Sequence, residues 1–315
     1  MSHEVETMFS GNRITPWHGL GNVVEGVLTA EDAIVAGGLD WTVSLRPIFR
    51  QKHHITLEGV EIGYERIDNR FELVRDSDET PYAVLSDKYK PFQNAQAFSF
   101  MDSLVESGAA KYETAGSLKG GRVVFVTMKT PGYITLPGGD KIETYLLLRT
   151  THDGTGRIMV YVVTVRVVCW NTLTWGISGA LHKWGVTHTS DVQAKVEQAQ
   201  KSLGLTIDYD KAFEAEAREL LDIRVTDDQI ARFLKEELED RPKRDEEIQK
   251  ILINVNESPT VGEYAGTAWG ALNGVTEYFE HLKANRSADA HFTRMFDGPQ
   301  FKLRTDLANR LKALA

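Results

Sequence analysis

The segment 141–168, KIETYLLLRTTHDGTGRIMVYVVTVRVV, carries the strongest structural signal in this chain. Two runs rich in β-branched and large apolar residues flank THDGTG, where glycine tolerates a positive φ and aspartate bonds its own backbone. Runs of this length on either side of a short turn are typical of a β-hairpin. A third such run, GRVVFVTMK at 121–129, precedes them. The sequence therefore predicts an antiparallel meander at the centre of the chain.

Short elements are predicted before the meander, in residues 1–110. Thr29 can cap a helix, with Asp32 three residues further on, and two runs are rich in β-branched and aromatic residues. The predicted strands cover 41–49 and 82–92, and a second helix covers 96–107.

The segment 176–315 has helical periodicity and almost no strand signal. Helix starts are predicted at Ser190 or Thr189, at the Thr226–Gln229 and Thr260–Glu263 capping boxes, and at Pro242.

These patterns predict an α+β protein: a central antiparallel β-sheet meander, preceded by short strands and helices and followed by a helical C-terminal region. We place the mixed core at 1–188 and the helical region at 189–315. The helices form either a second domain or a part of the first.

The composition gives expectations about compartment. No apolar run approaches the ~20 residues of a membrane helix, and the first residues lack the features of a secretory signal. The single cysteine, Cys169, cannot form an intramolecular disulfide. We therefore expect a cytoplasmic protein without a membrane partner.

The charge is unevenly distributed along the chain. The formal net charge of −9 argues against a nucleic-acid partner. The segment 111–175, however, carries eight basic residues against four acidic ones. A solvated sheet face and a groove for a polyanion both explain this local excess.

Cys169 and His152 are the candidates for nucleophilic catalysis, with His182 as another possible base. On a strand, Val165, Val167 and Cys169 share one face, while Arg166, Val168 and Trp170 share the other. A cysteine in line with two valines is typical of a buried core residue. The sequence therefore favours a structural Cys169 over a catalytic one.

Metal and nucleotide motifs are weak. His53 and His54 are adjacent on a predicted strand and point to opposite faces, and the spacing of His182 and His188 does not fit zinc motifs. The paired glycines in LKGGRVV and LPGGD do not form a phosphate-binding loop. We expect no cofactor and no nucleotide hydrolysis, and leave bound magnesium open.

Basic residues interleaved with aromatic ones favour single-stranded nucleic acid as a ligand, since cations neutralise phosphates and flat rings stack on bases. The alternative is that the rings belong to the core and the charges are solvated. The predicted phosphate contacts are Arg122, Arg149, Arg157 and Arg166, extended by Lys88, Lys90 and Lys119, with Tyr112 or Trp170 as the stacking residue.

Six segments spread over most of the chain resemble a phage- and plasmid-borne family named only as a domain of unknown function. They are TPWHGLG (15–21), DKYKPFQN (87–94), YETAGSLKGGRVVF (112–125), YLLLRTTHDGTG (145–156), TVRVVCWNTL (164–173) and TAWGALNGVTEYFEH (267–281).

The resemblance implies an early, non-virion phage protein in the cytoplasm of a bacterial host. By analogy the chain is also similar to single-strand annealing proteins, which implies a homo-oligomer that binds single-stranded DNA in recombination or replication, with phage or host recombination proteins as possible partners. The alternatives are a host-takeover protein with an acidic interaction surface and a Cys169-dependent hydrolase or transferase.

Overall fold

A computed structural model of the chain describes residues 5–10, 22–24, 29–57, 59–106, 110–167, 172–177, 182–186, 188, 203–239, 242–283 and 298–315. Cys169, Trp170 and the helix predicted after Ser190 lie outside these residues.

The predicted meander forms the middle of an eight-stranded sheet, in the order β11-β10-β9-β7-β6-β1-β2, with β8 paired to β9. All pairings are antiparallel except that of β1 with β2. The strands are β1 Val5–Ser10, β2 Asn22–Val23, β6 Lys111–Leu118, β7 Val123–Lys129, β8 Ile134–Thr135, β9 Lys141–Thr151, β10 Ile158–Arg166 and β11 Lys183–Val186.

A second, three-stranded sheet has the order β3-β4-β5. Its strands are β3 Val43–Thr56, β4 Gly59–Arg75 and β5 Pro81–Ser86. The sequence predicted the start of β3 and, from Tyr82 onward, β5, but it extended β5 to residue 92 and missed β4. Strand β5 pairs only with residues 70–74 of β4, so residues 49–57 and 59–66 form a two-stranded hairpin, which we call the arm.

Helices follow the sheet, as predicted, and two lie between its strands β2 and β6 in the chain. They are α1 Ala30–Ala36, α2 Asn94–Glu106, α3 Leu203–Asp222, α4 Asp227–Glu237, α5 Arg244–Glu257, α6 Ala268–Glu277 and α7 Pro299–Lys312. A 3-10 turn, Gly262–Tyr264, precedes α6, and a π-helical turn, Tyr278–Leu282, follows it. The α+β prediction is confirmed.

The capping boxes at Thr29 and Thr226 are both present. The prediction at Thr260 is wrong, because Thr260 lies in a turn and donates its hydroxyl to Glu277 at 2.9 Å. The helix begins instead at Ala268, with Thr267 accepting a hydrogen bond from the Gly270 backbone.

The main core lies between one face of the large sheet and the helices. Val160 and Val162 of β10 belong to it, together with Phe98 of α2 and Trp269 of α6. Residues of the N-terminal and C-terminal parts thus share one hydrophobic cluster. The intervening residues of β10, such as Val163, lie in a separate buried cluster on the opposite face, as the predicted alternation requires.

Candidate nucleic-acid interface

Six of the predicted phosphate-binding residues meet at one end of the large sheet, which we call the basic end. It consists of the β5–α2 connection (86–94), the β6–β7 turn (119–122), and the end of β9 with the β9–β10 turn (149–157). Its cations are Lys88, Lys90, Lys119, Arg122, Arg149 and Arg157, and the carboxylates within the three segments are Asp87 and Asp153. Glu6 and Asp78 lie beside the β6–β7 turn, where both are paired with Arg75.

Hydrogen bonds between backbone groups and side chains hold the three segments together. The His152 backbone N–H donates to the Arg122 carbonyl at 2.8 Å, which joins the two turns. The Tyr89 hydroxyl donates to the Thr151 carbonyl at 3.3 Å, which joins the β5–α2 connection to β9. The basic end is therefore one assembled surface.

The cations differ in how firmly they are held. Lys88, Lys90, Lys119 and Arg157 are exposed, whereas Arg122 and Arg149 are half-buried. The Arg122 guanidinium lies over the Tyr82 ring, 5.4 Å from its centroid, and donates through Nη2 to the Pro81 carbonyl at 3.1 Å. Charge is thus presented partly on flexible stems and partly on an oriented guanidinium.

A cluster of rings supports the basic end from beneath. His152 stacks on Tyr82, with centroids 6.0 Å apart, and meets Trp41 edge-on at 5.2 Å. Close by, His188 stacks on Tyr89 at 4.9 Å. Sequence reasoning missed the supporting roles of Trp41, Tyr82 and His188, because these residues come from distant segments of the chain.

His152 is fully buried and electrically neutral. Its Nε2 lies 3.0 Å from Asn94 Oδ1, and the Asn94 amide nitrogen donates to the carbonyls of Leu39 and Trp41, which makes Oδ1 the acceptor. Burial, with a smaller contribution from His188, lowers the pKa of His152 to about 3. The proton therefore stays on Nε2, and His152 acts as a structural residue.

Several buried polar atoms at this end have no hydrogen-bond partner within the described part of the chain. They are Tyr82 Oη, Arg149 Nε, His152 Nδ1 and His188 Nδ1. Such groups are costly in a core. Burial also lowers the pKa of His188.

Arg166 does not belong to this surface, and its prediction as a phosphate contact is wrong. It lies at the other end of β10 and is 1% exposed. Its Nε donates to Asp140 Oδ2 at 2.6 Å, its Nη1 to the Thr260 carbonyl at 2.7 Å, and its guanidinium lies over the Tyr264 ring. The C-terminal part of the chain covers the sheet face that we had expected to be exposed to a ligand.

Tyr112 is also unsuited to its predicted role. Its ring is 5% exposed, and its hydroxyl donates to Asp102 Oδ1 at 2.9 Å. Burial, and then this hydrogen bond, raise its pKa. Tyr112 therefore belongs to the core and cannot stack on a base, while the other stacking candidate, Trp170, lies outside the described residues.

The described residues provide no nucleophile beside His152 for the enzymatic alternative. Its described neighbours are Asn94, Trp41 and Tyr82, and Cys169 lies outside the described residues. No group of three or more potential metal ligands occurs in the ranges that the structure covers. His53 and His54 point to opposite faces of the arm, as predicted, because His53 faces Ile62 across the ladder and His54 faces Glu61.

A comparison with protein families matches residues 81–297 to "Domain of unknown function (DUF932)". The chain belongs to this family. The match contains all three segments of the basic end of the DUF932 protein, while the arm precedes it. Comparison with curated proteins and with solved structures gives no significant match. Among the described helices, none is both long and apolar enough to cross a membrane.

Proposed function

We propose that this DUF932 protein binds single-stranded DNA at the basic end, through the phosphate backbone, and acts in recombination or replication without hydrolysing nucleotides. The observation that supports this most is the convergence of six cations from three segments, against two carboxylates. Lysine and arginine side chains neutralise phosphates and release the counterions condensed on the nucleic acid.

The charge distribution favours one region of the surface as the binding site. The net charge of −9 disfavours a polyanion over the molecule as a whole, whereas the three segments of the basic end carry six cations against two carboxylates. Such a distribution steers a nucleic acid toward a single region of the surface.

Base stacking contributes little to this proposal. The rings at the basic end are buried or half-buried and pack on one another, so a bound strand meets cations before it meets flat faces. We therefore expect binding without base specificity. The preference for a single strand, the annealing activity and a phage or plasmid origin come from the resemblance noted above.

A salt series on a fluorescent single-stranded oligonucleotide tests the proposal. If about six phosphates are contacted, the logarithm of the association constant falls with the logarithm of salt concentration with a slope of about −4 between ~50 and ~200 mM. Absence of binding at the lowest salt, or binding that does not respond to salt, contradicts the proposal.

Competition with unlabelled duplex of the same sequence tests the choice of nucleic acid. We expect the single strand to displace the labelled oligonucleotide at a lower concentration than the duplex does. Equal displacement would leave a backbone-binding protein without the single-strand preference on which annealing depends.

A further inference from the structure

The arm is amphipathic. Residues opposite each other in an antiparallel ladder share a face, and the pairing places eight exposed residues on one side: Phe49, Gln51, His53, Ile55, Val60, Ile62, Tyr64 and Arg66. Their neighbours on the other side are polar or glycine and include the ion pairs of Glu65 with Arg50 and Lys52.

Large apolar side chains are unusually exposed to solvent on the first side, which we call the apolar face. Ile55 is 88% exposed, Tyr64 75%, Val60 60%, Ile62 56% and Phe49 55%. Isolated two-stranded hairpins are marginal in water, and contiguous exposed apolar patches mark interaction sites. The composition of this face is therefore that of an interface.

The apolar face continues a face that is already buried. At the base of the same hairpin, Val43 and Leu73 pack against Tyr82 and Tyr89 in a small hydrophobic cluster. The strand alternation carries this side outward past an irregularity in the pairing between Pro47 and Phe49. The base of the hairpin, where β4 pairs with β5, is thus covered by its own chain, and the arm is not.

We propose that a second copy of this chain covers the apolar face of the arm, by receiving it in the groove between α1 and α2. That groove has an apolar lining that includes Ile34, Val35 and Trp41, and it carries the carboxylates Glu31, Asp40 and Asp102. It therefore matches a face whose one permanent charge is Arg66.

A second groove of similar size is the alternative docking site for the arm. It is lined by Ile253, Tyr278 and Leu282 but carries Lys250 and Lys283. Its Lys250 ammonium repels Arg66, and its Lys283 ammonium is already paired with Glu247, whereas the carboxylates of the α1–α2 groove attract Arg66. Charge thus selects the α1–α2 groove.

The size of the contact favours reciprocal docking. A standard interface involves about 20–30 residues from each partner, and arm-to-arm contact supplies only the eight of the apolar face. If each copy contributes both an arm and a groove, the accessible residues of the α1–α2 groove roughly double the contribution of each copy. Reciprocal docking therefore approaches the size of a stable dimer, which arm-to-arm contact does not.

Sedimentation velocity without nucleic acid tests this independently of DNA binding. We expect the wild-type protein to dimerise with rising concentration and I55D/I62D to dissociate at least about tenfold more readily, because an unpaired buried carboxylate is costly. The matched control H54D/T56D adds the same charge to the polar side of the arm and should behave like wild type.

A matched pair of variants tests the choice of the α1–α2 groove. V35D, in the α1–α2 groove, should weaken the dimer, and I253D, in the lysine-bearing groove, should not; both side chains are more than half exposed, so folding is spared. Circular dichroism verifies the fold of each variant. A wild-type protein that stays monomeric, an H54D/T56D dimer as weak as I55D/I62D, or dissociation by I253D rather than V35D would overturn the proposal.

Discussion

Arg166 and Arg157 lie near opposite ends of one strand and have different roles. Arg157 is exposed beside the β9–β10 turn, whereas Arg166 is buried and paired with Asp140. Strand alternation correctly placed Arg166 and Val165 on opposite faces of the sheet. It could not predict which face would be covered, because the Thr260 carbonyl that Arg166 bonds comes from 94 residues further along the chain.

Replacing Arg166 by glutamine should destabilise the protein by about 3–5 kcal/mol, because Asp140 would remain as an unpaired buried charge. Urea denaturation measures this. R157Q, which removes the same charge from the surface, should change the free energy of unfolding by less than about 0.5 kcal/mol. An R166Q protein as stable as wild type but impaired in DNA binding would contradict the structural role of Arg166.

His152 should stay neutral across the physiological range. Its folded pKa of about 3 lies below the unfolded value of about 6.5. The unfolded chain therefore binds the extra proton first, so the contribution of His152 to stability is complete above pH ~6.5 and is lost as the pH falls toward 3. NMR of ¹⁵N-labelled histidine should show an unprotonated Nδ1 from pH 8 to pH 5; a midpoint near 6.5 would contradict the burial of this ring.

The arm shows where pattern reading at the level of elements succeeded and failed. The meander strands were predicted because they are long, apolar and separated by glycine turns. Strand β4 was missed because its outer half mixes charged residues with Val60, Ile62 and Tyr64. The period-two spacing of these three residues was the available signal, but a strand exposed on both sides lacks the continuous apolar run of a core strand.

The β6–β7 turn offers a matched pair of glycine substitutions. Gly120 and Gly121 have φ values of +63° and +84°, so alanine is strained at both positions. A methyl group at Gly120 meets no atom within 4 Å, whereas one at Gly121 collides with the Tyr82 hydroxyl. We expect G121A to lower the free energy of unfolding more than G120A, and equal losses in urea denaturation would contradict this packing.

On the scale of the whole molecule, the sequence identified most of the basic end without its geometry. Six of the nine predicted nucleic-acid contacts converge there, because alternate turns of an antiparallel meander lie at the same end of the sheet. Tyr112 and Arg166 were misplaced because the sequence pattern does not show which face each segment covers: the neighbouring helix α2 buries Tyr112, and the distant segment around Thr260 and Tyr264 covers Arg166. The ring cluster that supports the basic end could not be predicted, since Trp41, Tyr82, His152 and His188 come together only in the folded chain.

The central claim is that the basic end, rather than the cationic surface in general, binds single-stranded DNA. The direct measurement compares the salt dependence of oligonucleotide binding for K88Q/K90Q/R157Q and for K211Q/K250Q/K302Q. Both variants lose three exposed positive charges, so they have the same net charge.

If the claim is correct, the first variant binds more weakly and the magnitude of its salt slope falls by about 2, in proportion to three lost phosphate contacts. The second variant should retain the slope of the wild-type protein. Equal losses in the two variants, or an unchanged slope in the first, would contradict the claim.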